Sequence, residues 1–453
     1  MLRFMTICLL AWLGAAYAWA EEKTSYLLDP KLTAGESWLA NVKLSVGGNM
    51  HVEEQEAEEK KLPLTVSAHL QYEEHLLTWS PDKIARSLRH YGKANARIQV
   101  EEGGILRELP ANTRQIAAEI RNESSTLNSI EQPLTRQQLD LINVVGNTLA
   151  LQRLLPGDSL AVGEGWDHSA TAIGPLLGLD YLAVCEVRSI IVGVVQDQVQ
   201  IRLSGTVHGT IDGAPTEMEL RGAYLFHQEQ KRITKFNLAI KELRTASEIV
   251  PGLDIVAKIS ITLEPVESPH PFTADQLKQA GDISQPLPRE LMFDARAQGF
   301  CFEHNSNWYI TAEQRNLVSL RCMHTGNLLA HCNISTLPAR SEGRFTSLDQ
   351  LERDVRNTLG DRLESVSAAT HWTTPQGYKC LGVVAHGKVQ EVPIEWRYYL
   401  LSADGLPRVS LAVTVEQSQL KQFNDGDRQL VDSLKLLSKQ PTKTAVKSLA
   451  NPR

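Results

Sequence analysis

Two short stretches hold residue types and spacings that could do chemistry. The first is CMHTGNLLAHC, Cys322 to Cys332, with two cysteines and two histidines. A structural zinc site needs three or four such ligands at about 2.0–2.3 Å from the ion, its cysteines usually drawn from a tight Cys-x-x-Cys knuckle. This stretch reads instead as two strands about a Thr325-Gly326-Asn327 turn. On that hairpin Cys322 and His324 share a face, Cys332 falls opposite Cys322, and His331 points to the other face. At most three of the four can converge on a flat sheet, so no metal is expected. Directly opposed cysteines lie at a Cα spacing of about 5.5 Å, which a disulfide tolerates, so a Cys322–Cys332 staple stays open. The plainer reading makes Cys332 a small buried apolar side chain in a core strand, as free cysteine often is.

The second stretch is Asp167-His168-Ser169, which has the residue types of a hydrolase triad. A triad needs Ser–His and His–Asp hydrogen bonds in series, and neighbours on one strand point their side chains to alternate sides. No Gly-x-Ser-x-Gly elbow or His-Glu-x-x-His helix occurs. Gly163-x-Gly165 lacks the third glycine of a dinucleotide loop. The carboxylate pairs Glu53-Glu54 and Glu101-Glu102 sit in polar surroundings, with nothing to separate an acid from a base. No catalytic residue, cofactor or metal ligand is therefore named, and the chain is not expected to be an enzyme. A hydrolase site assembled from distant segments is the remaining enzymatic alternative.

The elements that would position these residues begin with an export signal. MLRFMTICLLAWLGAAYAWA has a basic start, a short apolar core and Ala18-Trp19-Ala20 before Glu21, so residues 1–20 read as a cleaved signal peptide and the mature protein as secreted or periplasmic. No later run is long and apolar enough to span a bilayer as a helix. Net charge over the 453 residues is −7, which argues against a nucleic-acid partner. The acidic run HVEEQEAEEKK, His51 to Lys61, lacks the pattern of a calcium loop and reads as a solvated tip. Five prolines between Glu264 and Glu290 mark a linker, residues 264–290, with Thr273 capping a short helix inside it. Residues 439–453 read as a disordered basic tail.

Between these lie two regions. Residues 21–263 open with strands, pass through a helical middle capped by Thr135 and Gln138, and end in long strands of period two. Val199, Ile201, Leu203 and Val207 share one face of a strand, and Met218, Leu220, Tyr224 and Phe226 one face of the next. Gly205, Gly209 and Gly222 fall on the same face, which suggests a strongly curved sheet. Its apolar wall, Leu203, Val207, Leu220, Tyr224 and Phe226, could hold an apolar ligand, or could be plugged by the helical middle as core. Residues 291–438 alternate strands with an amphipathic helix over 346–363 and a last helix over 427–437. The expected fold class is α+β: two antiparallel sheets, each with packed helices.

The second region resembles the PsbP-like superfamily. The resemblance rests on Gly299-Phe300-x-Phe302 with Trp308, the strand ending at Asn333-Ile334, the helix, and Trp396-x-Tyr398-Tyr399 before Asp404-Gly405. It implies a non-catalytic binding or assembly module. The first region resembles the LolA-like carriers of bacterial envelopes in its Gly35–Trp38 and Gly163–Trp166 motifs and the long strands that follow. That resemblance implies contact with an apolar ligand or a lipid-bearing partner. The sequence thus points to an exported, non-enzymatic binding protein of the bacterial envelope, taking an apolar small molecule, a lipidated partner or a partner protein. The alternative is a purely structural protein with no ligand cavity.

Overall fold

The computed structural model describes residues 24–53, 59–247, 249–324, 327–341 and 343–437. The expected signal peptide, the centre of the acidic run and the basic tail lie outside the described residues. Strand makes up 58% of the described residues and helix 15%, which overturns the α+β expectation: this is a mostly β protein of large antiparallel sheets with few helices. The reason is element length. The helical middle yields only α1 (Arg136–Ile142), α2 (Thr148–Leu151) and α3 (Ala170–Leu177). The helix expected over 346–363 is Leu348–Leu359, and the last one shortens to Arg428–Ser433 before Lys435–Leu436 pairs as a strand. Strands, by contrast, reach 20 residues.

Twelve strands form the large sheet. In chain order they are β1 (Ser37–Glu53), β2 (Glu59–Thr78), β3 (Ile84–Val100), β4 (Gly103–Glu108), β5 (Gln115–Arg121) and β6 (Ser124–Ser129), then β7 (Gly165–Asp167), β8 (Tyr181–Val195), β9 (Gln198–Ile211), β10 (Ala214–His227), β11 (Arg232–Arg244) and β12 (Gly252–Pro265). Their spatial order is β6-β5-β3-β2-β1-β12-β11-β10-β9-β8-β7, with β4 on β3. Period-two alternation gives the sheet one apolar and one polar face. At Gly205 the neighbouring strand comes so close that a Cβ would lie 2.0 Å from the Glu186 carbonyl oxygen, so only glycine fits there.

The apolar face is covered by the protein's own helices. Leu141, Ile142, Leu151, Leu154, Ile173 and Leu176 share one core with Leu220, Phe236 and Ile240 of the sheet. The α1–α2 connection presses on β12 at Gly146, where a Cβ would sit 2.7 Å from the Ile261 Cδ1. The Thr135–Gln138 capping box forms as read.

The proline-rich segment is packed as a strap. Its helix Ala274–Gly281, capped by Thr273, lies on the polar face over β2, β3 and β5, where Phe272, Leu277, Ala280 and Leu287 cluster with Leu88 and Ala117. Beneath it Arg86, 1% exposed, pairs with buried Glu119 and donates to the carbonyl oxygens of Ala280 (3.0 Å), Asp282 (2.6 Å) and Gln285 (2.8 Å).

After the strap come two more sheets. Trp308–Glu313, Leu317–His324, Asn327–Leu337, Arg408–Glu416, Val392–Ser402, Lys379–Val389 and Leu363–Thr373 form a seven-stranded one in that spatial order. Glu290–Ala295, Phe300–Asn305 and Lys435–Leu436 form the other. Phe300, Phe302, Trp308, Leu320, Cys332 and Leu411 share their main core, and Val355 and Leu359 of the amphipathic helix pack against Val383 and Trp396.

Candidate functional site

Each stretch singled out for its residue types has a structural place. In the Cys322–Cys332 hairpin, Cys322 opposes Ala330 and Cys332 opposes Leu320. The expected register is therefore corrected, and with it the disulfide: both thiols are free. The hairpin closes with His324 opposite Asn327, short of the expected turn, so that even after a one-residue bulge at Cys322 the two cysteines are diagonal and not face to face. His331 is exposed and opposes Arg321, on the face away from the buried cysteines. Among the described residues no group of three or more His, Cys, Asp or Glu could hold a metal ion. Burial pushes the Cys322 and Cys380 thiols up to about 12, and Cys332 higher still. Native protein at pH 8 should thus deny all three to a thiol-exchange reagent. Under denaturing, non-reducing conditions the five cysteines beyond residue 20 should all react, and a lower count in a chain lacking residues 1–20 would contradict the free-cysteine structure.

The Asp-His-Ser stretch comes apart on folding. Asp167 turns outward to Arg188 at 2.9 Å, and Ser169 bonds Thr171. His168 turns inward, its Nε2 2.7 Å from the Ser189 Oγ, which in turn accepts from the Tyr224 hydroxyl at 2.9 Å. Ser189 is fully buried, so this pair is a satisfied polar chain inside the core with no room for a substrate. Burial pulls the His168 imidazole down to about 4 from 6.5. The unfolded chain therefore takes up this proton first, and stability from the neutral ring is present above pH 6.5 and lost as pH falls toward 4. The His168→Gln variant should lose less stability than the parent across that window, by up to about 1.4 kcal/mol per pH unit, in urea titrations between pH 7 and 4. Equal slopes would contradict it.

The proposed apolar wall is core. Leu203, Val207, Leu220, Tyr224 and Phe226 are each no more than 1% exposed and belong to the same cluster as α1–α3. Two cavities at the helix–sheet contact measure about 10 and 30 Å³, room for little more than a water molecule.

A far larger concavity, about 900 Å³, opens on the opposite, polar face. It crosses six strands, β2, β1, β12, β11, β10 and β9, and each contributes two outward-facing residues around one inward-facing residue. Its long side chains are Lys43, His69, Arg202, Arg221 and Lys258. Small residues sit beside them in register: Lys43 faces Ser260, Lys258 faces Ser45 and Ala239, Arg202 faces Ala223, and Arg221 faces Ser204. The hollow follows from this pairing, since cationic stems stand over neighbours too short to fill the space between them. No carboxylate lines it. Arg221 pairs with exposed Glu219 beside the trough at 2.6 Å, whereas Lys43, Arg202 and Lys258 form no ion pair among the described residues. His69 bonds the Asn41 Oδ1 and titrates below its ordinary value through partial burial, then through Lys93 and Lys43.

A second cavity, about 310 Å³, lies where the large sheet meets the C-terminal region. Its charges already engage one another. The Tyr309 hydroxyl donates to Asp212 at 2.6 Å, the Asp212 backbone N–H donates to Asp180, and the Arg136 guanidinium stacks on the Tyr309 ring. It reads as a polar junction.

Sequence reasoning sought a ligand wall among the apolar positions and missed the trough. The signal was present in the alternate positions, where Lys43, Arg202, Arg221 and Lys258 recur among serine and alanine. Only the strand order brings these residues into one row.

No family model and no curated protein matches the sequence. Solved structures show slight likenesses. One is a cyanobacterial PsbP from Synechocystis sp. PCC 6803, at 12% identity over 34% of this chain and 95% of that one, with a TM-score of 0.27. A second is PA94 of Pseudomonas aeruginosa, a protein of unknown function described as a putative regulator, at 12% identity over 40% and 93%, TM-score 0.20. A third is lipovitellin, at 10% identity and TM-score 0.31, covering 54% of this chain and 27% of that one. No residue role is taken from any of them.

Proposed function

We propose that this is an exported, non-enzymatic binding protein of the bacterial envelope that holds its ligand against the outside of the large sheet. One contrast carries the reading. The apolar face is sealed by α1–α3, while the polar face carries an open trough of about 900 Å³. Ligand sites are concave and join a few convergent polar groups to an otherwise apolar lining, which this trough offers. A sealed interior would equally suit a purely structural protein. The cationic trough, which no packing need explains, favours binding. The test is titration of the mature protein with a dansylated undecanoic acid. The expected result is no saturable uptake in about 0.5 M salt, where charge pairing with the trough is screened, and 1:1 saturable uptake under that condition would move the ligand into the interior and sink the proposal.

A further inference from the structure

We infer that the trough takes an extended acidic segment of a partner protein, read by Lys43, Arg202, Arg221 and Lys258. The inference rests on the outer-face reading above and gives it a ligand class.

Charge is the first argument. The chain as a whole carries −7, yet the row of residues lining this trough holds four permanent cations and no carboxylate. Three of the four form no ion pair among the described residues. Cations gathered without internal partners, on a protein that otherwise repels anions, supply a complementary field for a negative ligand.

Shape is the second. Adjacent strands lie about 4.8 Å apart, so six strands span roughly 24 Å. At about 3.3 Å per residue, an extended peptide of roughly seven residues crosses that distance. In strand order the cations stand on β1, β12, β10 and β9, so they are distributed along the row. Carboxylates on alternate residues of an extended chain share one face and repeat about every 6.6–7 Å, within reach of long lysine and arginine stems.

The lining also disfavours other anions. No Trp, Tyr or Phe lines the trough, so it lacks the stacking platform that single-stranded nucleic acids use.

The experiment uses the full mature chain and a fluorescein-labelled octaglutamate peptide, read by anisotropy at low salt. Saturable binding is expected. It should weaken at least tenfold in the Arg202→Glu, Lys258→Glu double variant and by a smaller factor in Arg202→Gln, Lys258→Gln. It should hold in the control Arg353→Glu, Lys421→Glu, which makes the same change of net charge at two exposed residues outside the large sheet. Raising salt to about 0.5 M should abolish it, as for solvent-exposed charge pairs. Parallel arms use dextran sulfate and vesicles of phosphatidylglycerol with phosphatidylcholine. Tighter trough-dependent binding of either would overturn the peptide assignment, as would equal weakening in the control variant. If no polyanion binds while the dansylated fatty acid is still excluded, the acidic peptide is ruled out and the outer-face reading stands. Fatty-acid uptake that persists in about 0.5 M salt would overturn the underlying reading instead.

Discussion

Replacing Arg86 by leucine is expected to lower the unfolding free energy by about 3–5 kcal/mol, the range for removing one partner of a buried ion pair. The loss should be large because Arg86 does two things at once. Its Nε and Nη2 both reach the Glu119 Oε2, and its remaining donors hold the carbonyl oxygens of Ala280, Asp282 and Gln285. Burial works against the Glu119 charge, but hydrogen bonds from Arg121 and Arg86 outweigh it and hold the carboxyl below its ordinary range. Leucine would leave that carboxylate with Arg121 and the Leu287 backbone N–H, and would strip the Ala280 and Asp282 carbonyls of their donor, while Gln285 keeps a long bond from Arg121. Two readouts separate strap loss from general weakening. The denaturation midpoint should fall, and trypsin should cut the native variant at Lys278 faster than the parent. A loss below about 1 kcal/mol with no new cleavage would mean that the apolar contacts of Phe272, Leu277 and Leu287 hold the strap unaided.

The second large effect concerns the wall once read as a ligand surface. Phe226→Ala should cost about 3–5 kcal/mol, as for a large aromatic removed from a packed core. Phe226 is fully buried and shares its core with α1–α3. A ligand-lining phenylalanine would behave otherwise: truncation would cost little stability and would change ligand uptake. A denaturant titration that shows less than about 1 kcal/mol lost would place Phe226 against open space. Tyr224 should be nearly as sensitive, because its hydroxyl closes the buried chain through Ser189 to His168.

These cases show how far the sequence could be read. Period-two runs found the long strands of the large sheet, and local chemistry found the caps at Thr135 and Thr273, because both depend on residues close in sequence. Gly205, read with Gly209 and Gly222 as a sign of a curved sheet, sits where the neighbouring strand leaves no room for a Cβ. What local pattern could not supply was which neighbour each face meets. The apolar face of β9 and β10 looks the same in sequence whether a ligand or a helix covers it, and α1–α3 cover it. Strand order was equally hidden, so nothing local joined the cations of β1, β12, β10 and β9 into one row. Register failed at the turn: the hairpin closes with His324 opposite Asn327 and is not centred on Asn327, and the bulge after Cys322 recovers only one of the lost positions. The balance of helix and strand was misjudged because segments with good caps were taken to run on, whereas the helices of the middle region stop at 7, 4 and 8 residues.

Native mass spectrometry of the protein purified from its own host, with solvent extraction of the same sample, tests the central claim most directly. A filled interior predicts the mass of the mature chain with no stoichiometric apolar molecule in the extract, and any acidic partner retained at low salt should leave as ionic strength rises. A lipid or other apolar molecule held one-to-one through high salt would contradict the account, because it would have to occupy the space that α1–α3 fill.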